Sequence, residues 1–167
     1  MFIEQIFISP GHNYFGHHSK PPDEFPLLEV PQIERVAGHG IRGDRFFDYR
    51  DDYKGQITFF SAEVFAELAR AFRLTNKSAG ALRRNVIVSG IELNELIGLD
   101  FKVQGVRFLG TAHCKPCYWM DTAIAPGAET FLAGRGGLRA KILTNGMIGI
   151  GDAHLKILQP ITAGVSR

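Results

Sequence analysis

Short runs of apolar and β-branched residues, separated by glycine and proline, dominate the hydrophobic pattern of the chain. Runs of about four to eight such residues predict strands rather than helices. The predicted strands cover residues 2–9, 27–36, 56–60, 85–89, 100–104, 106–109, 140–144 and 153–158. Residues 10–26 are rich in Gly, His and Pro, and this composition predicts an irregular excursion between the first two strands.

One segment has the spacing of a longer helix. Ser61 is placed as its N-cap, with Glu63 in the first turn. Apolar residues then recur at helical intervals at Val64, Phe65, Leu68, Ala69 and Phe72. Further helix is predicted only as a short turn over residues 91–97 and after Pro126. The fold class expected from this pattern is therefore mainly β, an all-β barrel with a few short helices.

The composition is that of a globular protein, with 45% hydrophobic and 22% charged residues. A length of 167 residues suits one compact domain, and neither an internal repeat nor a linker divides it. We therefore expect a single domain over residues 1–167. The net charge of +2 is too small to indicate binding to nucleic acid or to an anionic membrane, so neither partner is expected. A small anionic ligand remains compatible with local basic clusters.

The termini and apolar runs predict a cytoplasmic protein. No apolar run reaches the ~18 residues of a membrane span. The first five residues include an acid, Glu4, and lack the basic segment that opens a secretory signal. No pattern in the chain indicates an oligomeric state.

The two cysteines, Cys114 and Cys117, lie three positions apart directly after a predicted strand. A cation close to a thiol favours the thiolate, which is the form that acts as nucleophile and metal ligand. His113 and Lys115 are adjacent in sequence, and Pro116 stiffens the approach to Cys117. These neighbours make the cysteine pair a candidate for a nucleophile or a metal ligand.

The cysteine spacing by itself leaves other interpretations open. Cysteine is often a small buried hydrophobic residue with no chemical role. The C-x-x-C spacing also fits half of a zinc site, which would need two further ligands from His12, His17 and His39. A thioredoxin-like redox pair would open a long helix beside a βαβ unit, and the pattern does not predict that arrangement.

Six short motifs occur in a defined order along the chain, at residues 38–44, 57–63, 83–91, 98–105, 136–140 and 146–152. Their order resembles that of the MOSC domains, a family named for the C-terminal domain of molybdenum cofactor sulfurase. The cysteine segment lies where this family has its characteristic cysteine. The matches cover most of residues 2–158, and the chain is identified as a single, stand-alone MOSC domain.

The resemblance implies a β-barrel that handles sulfur or binds the pterin-based molybdenum cofactor through a cysteine thiolate. In amidoxime-reducing relatives the second cysteine of a C-x-x-C segment ligates molybdenum, and that position corresponds to Cys117. Their arginine two places before a strand asparagine corresponds to Arg83. Those reductases also have a preceding barrel domain with further cofactor contacts, which these 167 residues do not include. Their serine two places before the cysteine is replaced here by Lys115.

Arg83 and Arg84 are consecutive at the start of a predicted strand, so at most one is expected to face a given pocket. The planar guanidinium suits phosphate, although a solvated strand end would carry arginines equally well. Asn85 could serve a neighbouring loop, and the Ser61 cap could face an anion. His113 could act as a base or support the cysteines. The candidate cofactor-binding residues are Arg83, Lys115, Cys114, Ser61, Asn85 and His113.

Three functions follow from these residues. The first is an enzyme or sulfur carrier that uses Cys117, with reductive removal of oxygen from an N-hydroxylated compound if molybdenum is bound. That reaction would require an electron-donor protein, because the sequence has no flavin or iron–sulfur motif. The second is a non-catalytic module that delivers cofactor or sulfur to another protein. The third is a small zinc protein that uses Cys114, Cys117 and histidines.

Overall fold

The computed structural model describes residues 1–158 and shows a mainly β fold with few helices, as predicted. The strands in this range are β1 Phe2–Ile8, β2 Leu28–Glu29, β3 Gln32–Val36, β4 Gly40–Ile41, β5 Ile57–Ser61, β6 Val86–Ser89, β7 Asp100–Val103, β8 Val106–His113, β9 Leu138–Ile142, β10 Gly146–Gly149, β11 Gly151–Asp152 and β12 Lys156–Leu158. The helices are α1 Ala62–Ala71, α2 Trp119–Ala123 and α3 Ala128–Phe131, with 3₁₀ turns at Ala79–Leu82 and Leu93–Leu96. No helix within the described range is long and apolar enough to cross a membrane.

Most strands form one nine-stranded sheet in the order β11-β1-β6-β5-β9-β8-β7-β12, with β2 also paired to β1. The crossover through α1 makes β5 and β6 parallel, while the other pairs of this sheet are antiparallel. A second sheet has the order β10-β3-β4.

The closed barrel expected from the sequence is not found among residues 1–158. The main sheet ends at β11 and β12, which are two and three residues long and do not pair with each other. Pro31 divides the predicted strand 27–36 into β2, on the main sheet, and β3, on the second sheet. Because β3, β4 and β10 form this separate sheet, they are not available to close the main one.

Apolar side chains cover both faces of the main sheet near its centre. Phe59 and Val86 belong to the cluster that extends to the second sheet, whereas Phe60 and Ile87 pack against α1, α2 and α3. Burial on both faces explains why β5 and β6 are mostly apolar instead of alternating between apolar and polar residues. The same packing holds α2, which begins two residues after Cys117, against the sheet.

Arg35 is a charged side chain inside this core. It lies on β3 opposite Ile41 and Gly146 and is fully buried. Its three guanidinium nitrogens have no hydrogen-bond partner within the described chain. Burial lowers the pKa of Arg35 to about 10. A buried, unpaired charge destabilises the folded state.

Replacing Arg35 with methionine should therefore stabilise the protein. The flexible, apolar side chain can fill the same space without the desolvation penalty, so we expect the free energy of unfolding to rise by about 1–3 kcal/mol. Urea unfolding of the wild type and Arg35→Met measures this difference. Arg42→Met, at an exposed position paired with Glu34, serves as the control and should change stability by less than about 0.5 kcal/mol. A loss of stability in Arg35→Met would show that the charge has a structural role.

Candidate functional site

A cavity of about 520 Å³ contains both cysteines in its wall. This volume lies in the range of pockets that bind small molecules and cofactors. Four separate stretches of chain line the cavity, at residues 12–18, 45–58, 82–84 and 114–120, together with Arg139 on β9. The site is therefore assembled from segments that are far apart in the sequence.

The two cysteines differ in their exposure to solvent. β8 ends at His113, and Cys114 follows directly with only 4% of its surface exposed. Its backbone N–H donates a hydrogen bond of 2.7 Å to the Gly137 carbonyl, which holds it against the start of β9. Cys117 is exposed, and its carbonyl accepts a hydrogen bond of 2.8 Å from the Met120 N–H at the beginning of α2. One thiol is thus buried in the wall and the other is open to the cavity.

Gly136 brings β9 close to the cysteine segment. A β-carbon at this position would lie 2.3 Å from the Cys114 carbonyl oxygen, so no larger residue fits without a backbone shift. The backbone N–H and carbonyl of Gly136 each form a hydrogen bond with a neighbouring side chain. The Gly136 N–H donates to His113 Nε2 at 3.0 Å, and its carbonyl accepts from Arg84 Nε at 2.9 Å. The glycine therefore allows the wall of the cavity to pack tightly.

Positive charge dominates the wall. Five cationic side chains line the cavity, and no Asp or Glu among the described residues does so: Arg45, Arg83, Arg84, Lys115 and Arg139. Of these five, only Arg45 has an ion-pair partner in residues 1–158, the buried Asp44 at 3.2 Å. The cavity therefore offers an excess of positive charge, which favours an anionic ligand.

Arg83 and Arg84 both face the cavity, so the expectation that at most one would do so is wrong. The alternation of side chains applies only within a strand, and β6 begins two residues later, at Val86. Arg83 ends a 3₁₀ turn in the left-handed conformation, with φ of 55°. Both arginines line the cavity, with Arg83 bonded to Gly11 and Arg84 bonded to Gly136.

The two arginines are anchored by backbone carbonyls. Arg83 Nη2 donates to Gly11 O at 2.7 Å and to Ser9 Oγ at 2.9 Å. Burial lowers the pKa of Arg83 to about 10, and the nearby Arg45 charge contributes in the same direction. Arg84 Nη1 donates to Leu82 O at 2.9 Å. The guanidinium groups are thus held in place before any ligand arrives.

A sequence model of the MOSC domain matches residues 36–154, which is more than half of the chain. The chain belongs to the MOSC domain family. Solved structures share its fold at low sequence identity. The YuaD protein of Bacillus subtilis is 20% identical, with a TM-score of 0.71, over 92% of this chain and 93% of that one. YiiM of Escherichia coli is 15% identical, with a TM-score of 0.67, over 96% and 71%. Among curated proteins, none matches this chain.

One wall of the cavity comes from residues 10–26, which lie outside the range matched to the MOSC domain. The Tyr14 and Trp119 rings are in contact, with centroids 4.9 Å apart and planes tilted by 37°. His18 lies 5.5 Å from the Tyr118 ring, and its Nδ1 is 3.2 Å from the Tyr118 hydroxyl. The segment predicted as an irregular excursion is therefore packed against the residues that follow Cys117.

In this MOSC domain Arg139 lies close to the buried thiol of Cys114. Arg139 lies on β9, and burial alone would lower its pKa. The adjacent Cys114 sulfur and the Tyr53 hydroxyl raise the pKa of Arg139 by more, so the net shift is upward. Burial raises the pKa of Tyr53, which lines the same cavity. Arg139 is thus held as a cation next to the sulfur of Cys114.

Three of the candidate residues do not line this cavity: His113, which borders the cysteine segment, Asn85 and Ser61. Asn85 is buried between β1 and β5, and its side chain bonds to Thr58, Phe7 and Asp44. Ser61 caps α1 by accepting a hydrogen bond of 3.2 Å from the Val64 N–H, and it lines a different depression. Neither Asn85 nor Ser61 is part of the wall around the cysteines, so both act on the fold that supports the site.

Sequence reasoning missed much of the wall. No role was predicted for three residues that line the cavity, because no motif near them in the sequence indicates catalysis or binding: Arg45, Tyr53 and Tyr14. Arg45 is brought to the cavity by its bond to Asp44 and by a 3.0 Å bond from its Nη2 to the Arg83 carbonyl. The excess of arginine and aromatic residues in segments predicted to be loops is the signal that could have indicated them.

His113 borders the cysteines and predicts a pH dependence. Burial lowers the pKa of His113 below its ordinary value of 6.5, and the charges of Arg84, Lys115 and Arg139 lower it further. Protonation would also remove the acceptor for the Gly136 N–H. The folded state therefore binds fewer protons than the unfolded state, so this contribution to stability is present above pH 6.5 and is lost as the pH falls through the lowered value.

We expect the free energy of unfolding to decrease when the pH is lowered from about 7 to about 5. The variant His113→Gln keeps an acceptor for the Gly136 N–H but does not titrate, and it should show a weaker decrease. Urea unfolding at a series of pH values measures both slopes. Equal slopes for the two proteins would exclude His113 as the source.

The zinc alternative gains no support from the described residues. Among residues 1–158, no group of three or more His, Cys, Asp and Glu side chains is placed to hold a metal ion. His39 is instead engaged with Asp48, at 2.5 Å, and His17 with Asp23, at 3.0 Å. Cys117 is therefore not part of a preformed all-protein metal site in this range.

Proposed function

We propose that this MOSC domain binds the anionic, pterin-based molybdenum cofactor, with the Cys117 thiolate as a ligand of molybdenum. One observation carries the proposal. The exposed thiol shares a cavity wall with five cationic side chains and with no carboxylate of the described residues. A soft thiolate suits the metal, and the surrounding cations suit the anionic part of the cofactor.

The side chains present fit such a cofactor. Arg83, Arg84 and Lys115 offer guanidinium and ammonium donors to its anionic groups. The aromatic rings of Phe46 and Trp119 also line the cavity and add apolar surface beside a planar ring. When bound, the cofactor would supply two-electron chemistry at oxygen. The role of the protein is then to hold the group, to orient it through Cys117 and to limit access of water.

The reaction proposed for the loaded protein is the reductive removal of oxygen from an N-hydroxylated compound. This reaction consumes two electrons and two protons and releases water, so a reductant is required. The sequence contains no flavin or iron–sulfur motif. We therefore propose that an electron-donor protein acts with this domain, in the cytoplasm, where both thiols would stay reduced.

Sulfur carriage is a second candidate function, and the two thiols in one wall favour it. Cys117 is open to the cavity and could carry sulfur as a persulfide, while Cys114 lies beside Arg139. The cations would hold the negative charge of the persulfide. In this form the domain would deliver sulfur, or the cofactor itself, to another protein.

Analysis of the protein purified from a host that makes the cofactor tests these functions. Metal content, pterin fluorescence after oxidation and persulfide sulfur are measured per chain. Molybdenum and pterin in equal amounts support the first function, and persulfide without metal supports sulfur carriage. Stoichiometric zinc in place of both would contradict the two proposals.

A further inference from the structure

We infer that Cys114 is the thiol that releases sulfur carried on Cys117, an inference that rests on the sulfur-carrying form of the proposed function. Both thiols line the same cavity, and neither is in a disulfide. They are three positions apart, with Pro116 between them. The site therefore contains an attacking thiol as well as a carrier thiol.

Cys114 is held rigidly in the wall of the cavity that Cys117 also lines. Its backbone is fixed by the 2.7 Å bond to Gly137, and Gly136 packs directly against its carbonyl. Burial protects its sulfur from bulk oxidants, because only 4% of the residue is exposed. Exposed Cys117, by contrast, is accessible to a sulfur donor. The exposed Cys117 thus suits the loading of sulfur, and the buried Cys114 suits its later release.

The proposed step balances in atoms and electrons. The Cys114 sulfur attacks the inner sulfur of the Cys117 persulfide, and a Cys114–Cys117 disulfide forms. The bond from Cys117 to the terminal sulfur breaks, and its electron pair leaves with that sulfur as hydrosulfide. The proton of the Cys114 thiol goes to the departing sulfur or to solvent. An external dithiol then reduces the disulfide and restores both thiols.

The charges around the cysteines favour this step. Negative charge moves from Cys114 to the departing sulfur, and both positions lie in a wall with unpaired cations. Arg139 lies beside the attacking sulfur, and Lys115 lies between the two cysteines in sequence. Arg139 acts here as a positioning residue, since it lines the same cavity and its charge lies near Cys114.

The test uses inorganic polysulfide as the sulfur source. Wild type, Cys114→Ser and Cys117→Ser are treated with polysulfide, freed of excess reagent and kept without reductant. Released hydrosulfide and the intact mass of each protein are then measured. We expect the wild type to release close to one hydrosulfide per loaded chain. Its final mass should be lower than that of the untreated, reduced protein by two hydrogens, because a disulfide has formed. The variant Cys114→Ser should keep its extra sulfur and release hydrosulfide at least about tenfold more slowly.

Addition of a dithiol should release the retained sulfur from Cys114→Ser, which shows that it was held as a persulfide. Cys117 is the one cysteine left in the sequence of this variant, so the persulfide is assigned to it. A wild type that keeps its extra sulfur without forming a disulfide would overturn the inference and leave sulfur carriage intact. Failure of Cys114→Ser to retain any sulfur would overturn both the inference about Cys114 and the proposal of sulfur carriage. Because Cys114 is buried, Cys114→Ala provides a second variant, and circular dichroism verifies that each protein is folded.

A charge variant separates chemistry from structure. Arg139→Gln should slow hydrosulfide release without changing the amount of sulfur carried, and Arg139→Lys should restore much of the rate. Arg50→Gln is the matched control, since Arg50 lies over Tyr49 and Tyr53 and does not line the cavity. Equal release rates for Arg139→Gln and the wild type would remove Arg139 from the proposed step.

Discussion

Replacing Cys117 with serine should remove the cofactor from the protein while the fold stays intact. In the proposed function the Cys117 thiolate is the soft ligand of molybdenum, whereas a serine hydroxyl stays protonated and is a poor ligand for the metal. We expect the molybdenum bound per chain to fall by about a hundredfold. Because Cys117 is exposed, the free energy of unfolding should change by less than about 0.5 kcal/mol. Metal analysis and urea unfolding of the same preparation measure the two quantities.

Cys114→Ser is the matched control for this experiment. It makes the same chemical change three positions away, at a sulfur that is buried and lies next to Arg139. Most of the molybdenum should remain in this variant. Full molybdenum content in Cys117→Ser would show that the wrong cysteine, or no cysteine, holds the metal.

The largest loss of stability is expected from Asn85→Leu, which keeps the approximate shape of the side chain but removes its polar groups. Asn85 Oδ1 accepts hydrogen bonds from the Thr58 N–H at 3.1 Å and from the Thr58 hydroxyl at 3.0 Å. Its Nδ2 donates to Phe7 O at 3.2 Å and to Asp44 Oδ1 at 3.3 Å. Leucine would leave these buried partners short of hydrogen bonds, so we expect a loss of about 3–4 kcal/mol.

Thermal or urea unfolding measures this loss. The control is Asn94→Leu, at an exposed position where the side-chain amide makes one hydrogen bond, of 2.9 Å to Gly134 O. That change should cost less than about 1 kcal/mol. A similar small cost at Asn85 would mean that the network of Thr58, Phe7 and Asp44 is not important for the fold.

The features predicted correctly are local ones. Ser61 caps α1 through a bond to Val64, three positions away, as its position before the apolar repeat indicated. β7 and β8 form a hairpin around Gly105, which has φ of 85°. Both structures depend on residues within one turn of each other, so their sequence pattern is sufficient to predict them.

The incorrect predictions concern places where the chain leaves a regular pattern. Residues 146–149 were not among the predicted strands, yet β10 forms there and pairs with β3. Arg83 and Arg84 were assigned to opposite faces by the alternation of side chains along a strand, but β6 begins only at Val86. In each case the outcome depends on a partner more than fifty residues away in the chain, which local spacing does not identify.

The sequence by itself determined the MOSC family, the mainly β composition of the fold and the cysteine pair, because these depend on motif order and on neighbouring residues. Only the tertiary structure decided that Arg45, Arg83, Arg84 and Arg139 line one cavity, and that residues 12–18 cover it. It also decided that the main sheet stays open within residues 1–158. The physical reason is strand register: one hydrogen-bonded pairing places many distant side chains at once, and that pairing is selected by the packing of the whole core.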